Sequence, residues 1–89
     1  MAVKEILIKA RKLIENPEKW GKGSSFDRSP LTKCSSEAIM FVDCNLDDRS
    51  TAREKLVQVI GRPITEWNDD PNVTHEDVLK AFDKAIEIS

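Results

Sequence analysis

Apolar residues recur at helical spacing in three stretches of the chain, and a fourth stretch is nearly continuous in them. Val3, Ile6, Leu7, Ala10, Leu13 and Ile14 fall on one stripe with a period of about 3.6 residues, while Lys4, Lys9, Arg11 and Lys12 lie off it or at its edges. This pattern predicts a first helix ending near Asn16-Pro17, because the residue before a proline is driven out of the helical region. The run Ala38, Ile39, Met40, Phe41 and Val42 predicts a second helix, mostly buried and central, with Ser35 or Ser36 available as its cap. Ala52, Leu56, Val59 and Ile60 form the stripe of a third helix. Thr51 and Glu54 are spaced as its capping box, and Gly61 and Pro63 supply its stop signal. Ile64 and Trp67 then pack from a short helical turn. Thr74 and Asp77 cap a last helix whose core face carries Val78, Leu79, Phe82, Ala85 and Ile86. No segment carries a convincing strand pattern, and there is no internal repeat or low-complexity tract. The expected fold is all-α: a compact bundle of about four helices in one domain spanning residues 1–89, built around the second helix.

Two connectors interrupt this pattern. Residues 17–33 combine Gly21, Gly23, Ser24, Ser25, Ser29 and Pro30 with the anchoring aromatics Trp20 and Phe26, which predicts a long ordered loop. Loops of this length inside compact domains are usually functional or mobile, so this one is a candidate site. Residues 61–73 carry Trp67-Asn68-Asp69 between Pro63 and Pro71, and the two connectors are expected to meet on one face. Two roles fit the Trp-Asn-Asp triplet. The indole and its polar neighbours form a recognition surface, or Trp67 fills the gap between helices while Asn68 or Asp69 satisfies free backbone groups; the second is the commoner arrangement in small cores.

Composition narrows the partners. With 39% hydrophobic and 34% charged residues the 89-residue chain reads as an ordinary globular domain, because its apolar positions are clustered and not diluted. Fourteen basic against sixteen acidic residues leave no global field that would draw it onto nucleic acid or anionic lipid. No apolar run has the length of a membrane span, and Met1 to Ile14 is too densely charged for a signal peptide, so a cytoplasmic protein is expected. Cys34 and Cys44 lack a metal-ligand spacing and have only His75 to join them, short of the four ligands of a structural zinc site. Reduced thiols fit that compartment.

The order of motifs resembles a family of small, functionally uncharacterised bacterial and phage proteins. These share an opening Leu-x-x-Ala-x-x-Leu-Ile helix, a Trp-x-x-Gly, a Cys-x-x-x-Ala-Ile or Leu segment, and a late Trp-Asn-Asp before a terminal helix. Here the motifs are Leu7, Ala10, Leu13 and Ile14; Trp20 and Gly23; Cys34, Ala38 and Ile39; and Trp67, Asn68 and Asp69, followed by Val78, Leu79 and Phe82. The resemblance covers nearly the whole chain. The sequence departs from the family pattern at Ser35-Ser36-Glu37, where small apolar residues with Gly are usual, and in a shorter glycine loop. The resemblance supports the fold and the key positions and brings no reaction with it; its phage members imply a host-contacting accessory role.

Three chemical constellations compete. Asp43, Asn45, Asp47 and Glu54 match ligand positions 1, 3, 5 and 12 of an EF-hand calcium loop, but Asp48 replaces the glycine of the sharp turn and Ser50 the aliphatic residue that pairs two such loops. The alternative is an acidic turn in which Glu54 serves a helix cap. Trp20 with Gly21-Lys22-Gly23-Ser24-Ser25 lacks the spacing of a phosphate-binding loop, although Lys22, Arg28 and Lys33 are placed for a modest anion site. Catalysis by Cys34 or a serine would need His75 as base and a group such as Asp69 to orient it, brought together only by folding. The reading reached is a non-catalytic module that contacts another protein, with no cofactor and no metal, and with Trp20, Phe26, Trp67, Asn68 and Asp69 as candidate binding residues. The alternatives are a degenerate calcium-binding protein using Asp43 to Glu54 and a small enzyme using Cys34 or His75.

Overall fold

The computed structural model describes residues 2–21 and 32–89. Five α-helices follow in order: α1 (Val3–Leu13), α2 (Ser35–Met40), α3 (Leu46–Ile60), α4 (Ile64–Asp69) and α5 (His75–Glu87), with a 3-10 turn at Pro17–Lys19. Helices α1, α3 and α5 each pack on the other two, and α2 and α4 close the assembly from one side. The core is the sum of their apolar stripes: Ile6, Leu7, Ala10 and Ile14 from the first helix, Ala52 and Leu56 from the third, and Val78, Ala81, Phe82 and Ala85 from the fifth. Phe82 is the largest side chain fully buried among the described residues. Val59, Ile60 and Ile86 pack against this core and are only partly buried. Outside the apolar contact, Arg11 ties α1 to α5 through Asp83, with Nε 2.7 Å from the carboxylate.

The all-α class holds, and the long helices are where the period places them. Two expectations are corrected. The second helix is mostly buried but not central: it has six residues, of which Ser35, Ser36, Ala38 and Ile39 are buried while Met40 is exposed, and Phe41 follows as an exposed C-cap. Five consecutive apolar residues cannot all face one way on a helix, and here Ala38, Ile39 and Val42 take the core side while Met40 and Phe41 face outward. The third helix begins not at a Thr51 cap but at Leu46. Asn45 is the N-cap, its Oδ1 accepting from the Asp48 amide at 2.8 Å and its Nδ2 donating to the Asp48 carboxylate at 2.9 Å. Asp47 and Asp48 then place negative charge on the first turn, where the helix dipole favours it. Thr51 lies inside the helix and its hydroxyl donates back to the Asp47 carbonyl at 3.0 Å. Asn45 and Thr51 are both favoured N-cap residues, and the asparagine that sits farther upstream wins because it lets the helix add a further turn.

At the other end of α3 the stop signal works as read. Gly61 adopts the left-handed conformation, φ 75°, and its amide donates to the Val57 carbonyl at 2.7 Å. The last helix also begins as predicted, with Thr74 and Asp77 exchanging side-chain and backbone hydrogen bonds in a capping box.

Asn45→Ala is expected to lower the unfolding free energy by about 1 kcal/mol, whereas Thr51→Ala changes it by no more than about 0.5 kcal/mol in either direction. Urea denaturation of the two variants measures this, and a larger loss from Thr51→Ala would contradict the observed cap.

Candidate functional site

The two connectors meet, and they meet on one side chain. Helix α4 is one and a half turns long, so Ile64, Trp67 and Asn68, spaced three and four apart, share its inner face, and all three are buried. Asn68 is completely inaccessible. Its Oδ1 accepts from the indole Nε1–H of Trp20 at 2.8 Å, from the backbone amide of Ser35 at 3.0 Å and from the Ser35 hydroxyl at 2.6 Å. Its Nδ2 donates to the carbonyl of Gly21 at 3.1 Å. Three donors on one end and a carbonyl on the other define the orientation of the amide without ambiguity. The Ser35 amide is one of the free N–H groups at the start of α2, so Asn68 caps that helix from 33 residues away.

Neighbouring contacts brace the same junction. Trp20 and Lys33 form a parallel bridge, with the Gly21 amide donating to Lys33 O at 3.2 Å and the Lys33 amide to Lys19 O at 2.8 Å, so residues on either side of segment 22–31 lie side by side. Asn16 caps the 3-10 turn before it, accepting from the Glu18 amide at 2.9 Å. The Trp20 ring lies against His75, centroids 5.7 Å apart. His75 Nε2 is 2.7 Å from the carbonyl of Ile14; since a carbonyl only accepts, this nitrogen carries the hydrogen and holds the end of α1 to the start of α5. Beyond α4, Arg62 pairs with Asp70 at 2.6 Å, fastening the two ends of the short helix.

The candidate binding residues therefore separate. Trp67 and Asn68 are buried in the core. Trp20 is half-buried and committed through its indole nitrogen to Asn68, Asp69 is exposed on the last turn of α4, and Phe26 lies outside the described residues. Of the proposed anion cluster, Lys22 and Arg28 also lie outside them, and Lys33 stands with its Nζ 4.7 Å from the centre of the Phe41 ring.

The groups named for catalysis sit close to the Asn68 junction along the chain, with polar atoms engaged in holding backbone. The cap of α2 is neither Ser35 nor Ser36, both of which lie inside the helix; it is Cys34. Its Sγ accepts from the Glu37 amide at 3.4 Å while the Glu37 carboxylate accepts from the Cys34 amide at 3.3 Å. Ser36 receives a hydrogen bond from Arg53, which joins α2 to α3. His75 Nε2, as its hydrogen bond requires, offers no lone pair to a nucleophile. The calcium register meets a plainer obstacle. Residues 46–60 are helical, so Asp47 and Glu54 lie along a helix and do not converge with Asp43 and Asn45 around a loop. Among the described residues no three His, Cys, Asp or Glu side chains are grouped to hold a metal ion.

An exposed apolar corner went unpredicted. Met40 is 55%, Phe41 65% and Leu46 73% accessible, all three on the turn joining α2 to α3. Beside it runs an open groove lined by Lys9, Lys12 and Leu13 of α1 and by Phe41, Val42 and Asp43. The sequence signal was there as an apolar run longer than one helix face can bury.

The fold and this junction define a small helical domain in which a buried amide joins a loop to two helices. The chain belongs to a family of unknown function, DUF6197, whose family model matches residues 1–88. Neither a curated protein nor a solved structure matches it.

Asn68→Ala removes an acceptor for three donors and a donor for one carbonyl, and each polar group left buried and unmet costs about 1–3 kcal/mol. The variant is expected to lose about 3 kcal/mol of stability in chemical denaturation, while Glu66→Ala on the exposed face of the same helix stays within about 0.5 kcal/mol of the parent. A loss below about 1 kcal/mol for Asn68→Ala would contradict the role assigned to the amide.

Proposed function

We propose that this protein is a non-catalytic module that works by contacting another protein, and that the contact is made by the corner between α2 and α3. The observation that carries the reading is the exposure of Met40, Phe41 and Leu46, three large apolar side chains within seven positions, where the other exposed large apolar residues described, Val57 and Ile88, stand singly and are less accessible. Clustered apolar exposure of this kind marks interaction surfaces, and an aromatic ring at the centre of such a patch is a common energetic anchor. The contact surface thus moves away from Trp67 and Asn68, whose side chains serve the interior.

Among the described residues no helix is long and apolar enough to cross a membrane, and Cys34 and Cys44 are both free thiols, which supports a module acting in the reducing cytoplasm. A host-contacting accessory role, of the kind the phage resemblance implies, would use the same corner.

The test is site-specific photocrosslinking in the source cells. A crosslinking residue at position 41 is expected to give a discrete protein adduct that is lost when Leu46→Ser is added, while the same residue at position 87, on the last turn of α5, gives none. Equal labelling at positions 41 and 87, or no adduct at 41, would count against the reading.

A further inference from the structure

Resting on the reading of the α2–α3 corner as a contact surface, we propose that its partner supplies an acidic segment with a large apolar anchor, seated in the groove between α1 and the turn after α2. The floor of that groove is apolar, made by Leu13, Val42 and the face of Phe41. Its rim is cationic. Lys9 and Lys12 lie one turn apart on α1, about 4.5 Å along the helix axis, and the Nζ of Lys33, outside the lining, is 4.7 Å from the centre of the Phe41 ring. Asp43 is the single carboxylate in the lining. A cationic rim on a chain of net charge −2 is a local reversal of the overall sign.

Among the described residues Lys9 and Lys12 make no ion pair, whereas Arg11, between them in sequence, is held by both Glu15 and Asp83. Lys33 makes a cation–π contact with Phe41, which holds a third positive charge 4.7 Å from a ring that lines the groove. Carboxylates set about a helical turn apart, flanking one leucine, methionine or aromatic residue, satisfy both features together: the anchor covers Phe41 and the carboxylates reach Lys9 and Lys12. Electrostatic complementarity of this kind selects the partner and its register. A nucleic-acid strand fits less well, because the groove itself carries Asp43 and the chain as a whole, at net charge −2, repels phosphate.

A random twelve-residue peptide library displayed on phage and selected on the immobilised protein tests this. The expected result is enrichment of acidic sequences with a large apolar residue. Synthetic copies of these should bind the K9E/K12E variant about tenfold more weakly than the parent and lose measurable binding to Phe41→Ser. Circular dichroism and thermal melting of both variants establish that they remain folded. If the enriched peptides are neutral or basic, or bind K9E/K12E unchanged while still needing Phe41, the acidic partner is overturned and the contact surface stands. If binding ignores Phe41→Ser, or no peptide is enriched, both fall. Self-association abolished by Phe41→Ser in sedimentation, or a fluorescent single-stranded oligonucleotide binding in competition with the peptides, would also overturn the acidic segment as the occupant.

Discussion

One primary amide holds the non-helical part of this protein to the helical part. Asn68 is buried without exposure, accepts from Trp20 and twice from Ser35, and donates to Gly21. A buried polar group is costly when its partners are missing and modestly favourable when they are all present, so such a network specifies one arrangement and penalises others. Its geometry makes the dependence concrete. α2 is too short to be stable by itself, and its first free amide is met by a side chain from α4. α4, equally short, is held by Ile64 and Trp67 in the core and by the Arg62–Asp70 pair across its ends. Neither helix has an identity apart from the other, and the loop base joins them through Trp20 and Gly21.

This arrangement explains why the residues that look most like functional chemistry in the sequence turn inward. Trp67 and Asn68 are a core plug and a hydrogen-bond hub; Cys34 and His75 hold helix ends. With six residues in each of α2 and α4, side chains have to do what longer helices do with backbone, and polar residues are drawn into structural duty. The junction leaves unused the corner where α2 ends, and there Met40 and Phe41 emerge into solvent.

The long helices were legible because their stripes are long enough to define a period: the stripe of α1, the capping box of α5 and the Gly61 stop were all readable in advance. The meeting of the two connectors was legible too, and so was the core role as one of two for Trp67 and Asn68. The partners of Asn68 were not, since Trp20 lies 48 positions away and nothing local marks an asparagine as a distant helix cap. The start of α3 was misplaced because Asn45 and Thr51 carry equivalent capping signals, and only the fold chooses. Phe41 was misjudged for a different reason. A run of apolar residues reports hydrophobicity without saying which of them face inward; Ala38, Ile39 and Val42 take the core side, and the helical period then leaves Met40 and Phe41 outward.

Native-state hydrogen exchange, read by NMR at the indole N–H of Trp20 and the backbone amide of Ser35, tests the central claim most directly. Both hydrogens point at the same oxygen, and if Asn68 joins loop and helix into one cooperative unit they exchange with the same free energy, equal to that of global unfolding. A Trp20 indole that exchanges orders of magnitude faster than the Ser35 amide would show that the loop base opens independently, and the account of the junction would fail.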